Sequence, residues 1–331
     1  MNEGDQKVPT MLRELSQHEF GNRLEPYRRE LQVHCYRMLG SLHDAEDMVQ
    51  ETFLRAWTRR ATYTQDISVR AWLYKIATNI CLDALKKTRR RVIPKTLRDA
   101  EPSGDSVPPA ILEPIWLDPY PDDLIPWAAE HPEQIVVTRE SVSLAFMAAL
   151  HVLPPRQRAV LILSDVLDWS AAEIATLLDT TVSAVKSALH RARASLDAAH
   201  PDVPAPRPDD FLLQTQLAAY VQAWETADVD ALITLLRDDA TFSMPPIPSW
   251  YQGKAAIHQI VGTRVFAGMP GWRLLPARAN GQIAFGLYRR GADGYAAYGV
   301  QVVTFAGDAI SDIITFRKPD LVERFGLPPQ P

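Results

Sequence analysis

Between residues 18 and 91 the apolar positions recur with the period of helix faces, not of strands. In Asp44–Trp57, the residues Ala45, Met48, Val49, Thr52, Phe53, Ala56 and Trp57 fall at i, i+3, i+4 and i+7, opposite Asp44, Glu46, Asp47, Gln50, Glu51 and Arg55. A further helix fits Val69–Lys87, with Trp72, Leu73, Ile76, Ala77, Ile80 and Leu85 inward, and it runs into the basic string Lys86-Lys87-Thr88-Arg89-Arg90-Arg91. The periodicity then breaks. Eight prolines lie between residues 101 and 132, and proline fixes φ and lacks a donor, so neither a long helix nor a central strand forms there. The same stretch carries Trp116, Tyr120 and Trp127, more apolar surface than a free spacer needs, so part of it is expected to dock on a folded surface.

Helical spacing returns over 134–199. Two helices, Ser170–Leu178 and about Val182–Leu196, are separated by a short turn. Ser170-Ala171-Ala172-Glu173 has the form of a capping box, in which a hydroxyl and a glutamate satisfy the first free amides. The string AHPDVPAPRPDD at 199–210 marks a boundary. Beyond it, helical patterns (Leu217, Tyr220, Val221, Trp224; then Ala231, Leu232, Leu235, Leu236) give way to alternating runs at Ala240–Met244, Trp272–Ala277, Ile283–Tyr288, Tyr295–Phe305 and Ala309–Phe316. Helices followed by an antiparallel sheet make an α+β domain. The chain therefore divides into helical 18–92, a proline-rich acidic linker 93–133, helical 134–199, a second linker 200–210, and α+β 211–331.

Charge sharpens this division. The 331 residues carry a net charge of −5, but residues 1–91 hold 16 Lys/Arg against 12 Asp/Glu, whereas 99–138 hold nine Asp/Glu and no Lys/Arg. A basic front suits nucleic acid, and the acidic stretch either avoids or mimics it. Cys35 and Cys81, the two cysteines, lie within helical patterns, which favours small buried side chains over a disulfide or a zinc site. No apolar run has the length of a membrane span, and the polar, acidic N-terminus is unlike a signal peptide. A cytoplasmic protein with no cofactor or metal is expected.

The pair of helices at 170–196 reads as a helix-turn-helix. With Val182, Val185, Leu189, Ala192 and Leu196 at buried spacing, Ser183, Lys186, Ser187, His190, Arg191 and Arg193 are left outside. Lys and Arg there neutralise phosphates and reach guanine edges, and Ser bonds phosphate or base. The whole stretch LPPRQRAVLILSDVLDWSAAEIATLLDTTVSAVKSALHRARASL, 153–197, resembles region 4 of the sigma-70 family, which implies that this outer face reads a promoter −35 element.

Residues 23–91 resemble region 2 of the same family. The string Asp44-Ala45-Glu46-Asp47-Met48-Val49-Gln50-Glu51-Thr52-Phe53, ending at Trp57, is similar to the helix that grips RNA polymerase core. The resemblance assigns Asp44, Asp47, Met48, Val49, Gln50 and Glu51 to that contact. Arg70–Asp83 resembles the part of region 2 that opens and reads the −10 element. There Lys75, Lys86, Lys87, Arg89, Arg90 and Arg91 supply a cationic track, and Asn79 and the 60–69 loop lie near an extruded base. Trp72 reads as core in preference to a stacking wedge.

Both regions in this order, with no counterpart of the extra regions of housekeeping sigma factors, resemble the extracytoplasmic-function (ECF) group. Trp116-Leu117-Asp118-Pro119-Tyr120-Pro121-Asp122-Asp123 resembles a feature of ECF subgroups with a C-terminal extension. The acidic linker is a candidate for an RNA-exit or template channel, where its charge would mimic nucleic acid. Residues 211–331 resemble the SnoaL-like, cone-shaped fold, through Tyr220, Trp224, Asp239-Ala240-Thr241-Phe242 and Gly253-Lys254-Ala255-Ala256-Ile257. The fold class is thus two all-α sigma domains plus an α+β cone.

The expected partners are polymerase core (its beta and beta-prime subunits), promoter DNA, and a small-molecule ligand of the C-terminal domain, with no membrane and one copy per holoenzyme. An enzyme of the cone fold would need a buried base and an oxyanion donor. Asp239, His258, Tyr288, Tyr295 and Tyr298 are candidates by type, but no spacing singles out a pair, and His258 reads as a cap or surface group. Catalysis is not expected. A one-component operator-binding regulator would account for 134–331 and leave 23–91 unexplained.

Overall fold

The computed structural model describes residues 12, 14–64, 66–87, 90–102, 107–113, 115–126, 141–199, 210–267 and 271–331. They fall into two compact units, one drawn from Met1–Arg91 and Leu124–Pro201, the other from Val92–Asp123 and Asp202–Pro331.

The first unit is helical. Helices Gln17–Leu24, Arg28–Leu39, Leu42–Thr58 and Val69–Leu85 bury Leu24, Leu31, Cys35, Tyr36, Ala45, Val49, Leu73 and Ala77 between them. Their ends are written locally. Gly40, at φ 69°, closes the second helix in the left-handed conformation that glycine adopts without a Cβ penalty, and Ser41 and Ser68 cap the next two through their hydroxyls. Both cysteines are buried and free. Helices Leu144–Leu150, Pro155–Leu161 (continued by a wider turn, Ile162–Val166), Ala171–Leu177 and Val182–Ala199 complete the unit. Trp127 and residues 134–140 of the expected third segment lie outside the described residues.

The second unit is a six-stranded sheet packed against helices Asp210–Glu225, Val229–Thr234 and Lys254–Ile260. Its strands are β1 Leu236–Ser243, β2 Trp250–Gln252, β3 Trp272–Ala279, β4 Gln282–Gly291, β5 Gly294–Ala306 and β6 Ala309–Phe316, in the order β2-β1-β6-β5-β4-β3. The expectation of an antiparallel sheet needs correction, because β1 pairs with β6 in parallel. Alternation along a strand records which face is buried and not the direction of its neighbour. The short β2, three residues long, carries too little alternation to be read.

The stretch read as a linker is largely part of this unit. Val92 and Trp116 bridge in parallel, and the amide of Glu101 donates to the Trp250 carbonyl (2.8 Å), that of Ile111 to Pro246 (2.9 Å). Trp116, Leu117 and Tyr120 are buried, as are Asp118 and Asp122. Proline-rich backbone with few donors thus lies along the domain as a strap.

Candidate nucleic-acid and partner interfaces

The helix Leu42–Thr58 buries Leu42, Ala45, Val49, Thr52 and Ala56 and turns Asp47 and Gln50 fully outward, with Met48 and Glu51 at the margin. Val49 is a correction. At 1% exposure it belongs to the core, one turn beyond Ala45, and it supports the helix without reaching a partner. Asp44 accepts from Arg91 Nη2 at 2.5 Å, while Glu51 pairs with Arg55 at 2.6 Å. The free acidic and amide groups of this face are centred on Asp47 and Gln50.

The basic string is less open than its sequence implies. Arg91, with a side chain only 10% exposed, is folded back onto Asp44, so its expected role as an open phosphate contact is corrected to a structural one. Lys86 pairs with Asp83 at 2.8 Å on the surface, Lys87 and Arg90 are exposed, and Arg89 lies outside the described residues. On the helix Val69–Leu85, Asn79 is exposed. Trp72 packs against Tyr63 with ring centroids 5.1 Å apart and is 7% exposed, so it is core. Lys75 makes an ion pair with Asp179 (2.7 Å) and donates to the Thr176 carbonyl (3.3 Å).

Asp179 is the corner of the helix-turn-helix, at φ 48°, a left-handed position that Asp tolerates through its short polar side chain. The first helix begins with the capping box. Ser170 Oγ accepts from the Glu173 amide (3.3 Å) and Glu173 Oε2 accepts from the Ser170 amide (2.8 Å), which holds the Glu173 carboxyl below its ordinary range. On the second helix Val185 and Ala192 are buried, and Ser183, Lys186, Ser187, His190, Arg191 and Arg193 are all exposed. Val182, expected inside, is 40% exposed, because it opens the helix before its inner row meets the preceding one. Arg193 donates twice to Asp165, at 3.0 and 2.7 Å, a fork that fixes the helix to the Ile162–Val166 turn. Lys186 and Arg191 are the cations left for DNA.

The two helical sets touch inside this unit through residues that the sequence did not single out. Arg158, 3% exposed, donates through Nη1 to the Met38 carbonyl and through Nη2 to the carbonyls of His151 and Leu153, both at 3.2 Å. Arg37 donates to Ser141 Oγ at 2.8 Å and to its carbonyl at 3.2 Å. Tyr74 packs against Trp169 with ring centroids 5.5 Å apart. Nearby, His34 is fully buried against Thr78 Oγ1 at 2.9 Å, and burial with the positive charges of Arg37 and Arg70 pushes its pKa down to about 3. His151 is also driven well down, by burial and by Arg158.

These histidines give the unit an acid-side weakness. Unfolded histidine takes up a proton near pH 6.5 and the native ones do not, so stability is full above that value and is lost as pH falls toward 3. At pH 5.5 the cost from His34 is about 1.4 kcal/mol. Urea titrations at pH 7.5 and 5.5 are expected to show that loss, and a His34→Gln variant a smaller pH difference; equal pH dependence in both would refute the assignment.

In the second unit the strap is held by charge as well as by rings. Asp122 Oδ1 accepts from the Gly281 amide (2.7 Å) and its other oxygen faces Arg278 Nε (3.3 Å); Lys318 reaches Asp118 at 2.9 Å; Tyr120 and Asn280 exchange bonds of 2.7 and 2.9 Å. Asp118 and Asp122 are thereby spent on the domain and are withdrawn from the acidic surface expected of the linker. The sheet's inner face carries a buried chain in which the Tyr220 hydroxyl donates to Gln301 Oε1 (2.6 Å) and Gln301 Nε2 to Thr315 Oγ1 (2.8 Å). A groove of about 630 Å³ lies beside it, lined by Leu217, Val221, Glu225, Arg278, Ile283 and Phe285 among others.

The enzyme candidates are scattered. Asp239 is exposed and paired with Arg237 (2.9 Å), His258 is exposed beside Asp230 (3.0 Å), Tyr288 donates to the Pro328 carbonyl (2.7 Å), and Tyr295 lies under Arg273. No base and oxyanion donor come together from that set. Among the described residues no cluster of metal-ligating side chains occurs, and no helix is long and apolar enough to cross a membrane.

Comparison with known proteins agrees with this anatomy. Residues 24–91 match the family described as Sigma-70 region 2, residues 143–196 that described as Sigma-70, region 4, and residues 217–313 the SnoaL-like domain. The ECF RNA polymerase sigma factor SigG of Mycobacterium tuberculosis is 45% identical over 316 residues, 94% of this chain and 84% of that one. SigW of Bacillus subtilis is 31% identical over 180 residues, 54% of this chain and 88% of its own. The crystal structure of the M. tuberculosis ECF sigma factor SigJ is alike in fold, with a TM-score of 0.56 over 93% of this chain and 99% of that one at 24% identity.

Proposed function

The chain belongs to the ECF RNA polymerase sigma factors, and on that premise we propose that it grips polymerase core through Asp47 and Gln50, with Met48 and Glu51 beside them, and reads promoter DNA with two separate faces. The protein directs promoter-specific initiation and is not itself an enzyme. The observation that carries the residue assignment is the outward set on Val182–Ala199, where Lys186, Ser187, His190 and Arg191 share the exposed side while Val185 and Ala192 are buried. A helix presented in this way enters the major groove, and Lys and Arg reach guanine there. This face is assigned to the −35 element. Asn79, Lys75, Lys86, Lys87 and Arg90 are assigned to the −10 element, where a cationic track follows the strand and a polar side chain meets an unstacked base. The protein works in the cytoplasm, where core and promoter are.

The C-terminal domain is assigned a modulating role, with a small ligand on its inner face. The groove volume is that of a small-molecule site, and the buried Tyr220–Gln301–Thr315 chain brings polar groups to an otherwise apolar interior.

The test is transcription in vitro with purified core on the DNA upstream of the protein's own gene. Full-length protein is expected to give a transcript with one defined start. Arg191→Ala is expected to lower it about 10-fold or more, the worth of one lost base-edge contact at 1–3 kcal/mol. Asp47→Lys is expected to abolish co-purification with core. A start-specific transcript unaffected by both substitutions would sink the residue assignment.

A further inference from the structure

The inner face of the C-terminal sheet can be followed residue by residue. Strand partners share a face in an antiparallel pair, so Trp272, Leu274 and Pro276 of β3 lie on the side of Leu287 and Phe285 of β4. Gln301, whose side chain bonds Tyr220 of the packed helix, places the same face of β5 inward. At one point β5 departs from register. Leu287 pairs with Gly299 and Tyr288 with Ala297, which leaves Tyr298 as the extra residue of a bulge. Bulges re-aim a side chain, and they concentrate beside functional sites. Gly299 is required next to it, because a Cβ there would collide with the Phe316 carbonyl.

The bulge delivers the Tyr298 ring to Trp272, edge to face with centroids 5.0 Å apart, and Trp272 in turn meets Trp224 at 5.6 Å. Arg317, just past the end of β6, lies over the Tyr298 ring, its Cζ 5.4 Å from the centroid. Two donors at this place have no acceptor among the described residues: Trp272 Nε1, on a side chain 2% exposed, and Arg317 Nε, both shut off from solvent. Buried donors are nearly always bonded in folded proteins, and each one left over costs about 1–3 kcal/mol. Two such donors around one aromatic ring describe an acceptor that the chain does not contain. The charges that act on Tyr298 are those of Arg317 and Arg289, both positive, and burial nonetheless raises its hydroxyl above the ordinary phenol range. It therefore stays protonated, as a third donor.

We propose that Trp272, Tyr298 and Arg317 form a binding site for a small aromatic carboxylate, whose ring stacks among Trp272 and Tyr298 and whose carboxylate accepts from Trp272 Nε1 and Arg317. The class follows from the lining: planar apolar walls select a ring, and a cluster of donors with a guanidinium selects an anion. This deepens the reading that the domain holds a ligand. Binding is measured here without polymerase, so its outcome stands apart from whether a ligand changes transcription.

The experiment is calorimetric titration of the full chain with 2-naphthoate, and with 2-naphthalenemethanol as the neutral counterpart of equal ring size. Saturable binding of the acid is expected, with the alcohol about 10-fold weaker or worse. Arg317→Gln is expected to erase the difference between acid and alcohol, and Trp272→Phe, which keeps a ring and deletes the donor, to weaken the acid several-fold. Where Arg317→Gln fails to fold by circular dichroism, the acid–alcohol contrast on the unaltered chain and the Trp272→Phe result decide. No saturable binding of 2-naphthoate, equal affinity for acid and alcohol, or an acid affinity unmoved by a folded Arg317→Gln would each overturn the proposal.

Discussion

Replacing Arg158 with methionine is expected to cost the helical unit about 3 kcal/mol or more, the largest loss for any single substitution in it. The side chain lies between two helix ends. Met38 is in the last turn of Arg28–Leu39, and His151 is the residue after Leu144–Leu150, so the guanidinium satisfies carbonyls that neither helix can satisfy itself and sits at the negative ends of both dipoles. Burial brings its pKa down to about 10, which leaves it charged at neutral pH. Two effects compete in the variant. Methionine fills similar volume and removes a desolvated charge, a gain; three carbonyls lose their donor at about 1–3 kcal/mol each, a loss. The count of carbonyls decides for the loss. Urea unfolding of the full chain is the measurement, and a midpoint within error of the parent would show that desolvation of the guanidinium had been the larger quantity. Arg158→Lys is expected to fall between, since an ammonium cannot span the fork.

In the second unit the corresponding substitution is Tyr120→Ala. Tyr120 is fully buried, and its backbone exchanges hydrogen bonds with Asn280, itself fully buried. Removing a buried aromatic ring costs about 3–5 kcal/mol. The cost falls at the centre of the strap, between Asp118 on Lys318 and Asp122 on Gly281, so the segment is expected to come away from the domain. Limited proteolysis should then cut within 92–123 at a rate at least about 10-fold higher than in the parent, because cleavage follows the population of the open form. Cleavage at the parental rate would mean that the flanking ion pairs alone hold the strap.

These two sites also show where sequence reading stops. Helices at 44–57, 69–87, 170–178 and 182–196 follow from a 3.6-residue period, and the Ser170–Glu173 box is a local pattern whose geometry the structure contains. The outward positions of the recognition helix follow from the same period. Long-range partners do not. A buried Arg158 bonded to Met38, 120 residues away, has the same letter as a surface arginine, and nothing local reports that Arg91, Lys75 and Arg193 are already paired. Trp116 and Tyr120 announced a docked segment because large apolar groups seek cover; Asp118 and Asp122 were read as free charge because a carboxylate's partner is invisible along the chain. The bulge at Tyr298 is invisible for another reason. One extra residue in a run of alternating side chains looks like a longer strand until its neighbour is known.

The ion pair between Lys75 and Asp179 has a consequence for ionic strength. A lysine that contacts DNA phosphate releases a bound counterion, and each such contact steepens the fall of log K with log salt by about 0.9. Lys75 is held at 2.7 Å by an aspartate of the helix-turn-helix corner, whereas the two promoter elements, by their −10 and −35 positions, stand about 25 base pairs or roughly 85 Å apart at 3.4 Å per pair. The pair must open before both elements are held at once. Salt therefore acts twice: it weakens the phosphate contact that Lys75 gains and screens the aspartate that Lys75 gives up. The two nearly cancel, so this lysine adds little to the salt slope of promoter binding even while it touches the DNA, and a slope measured on the intact protein undercounts its phosphate contacts by about one.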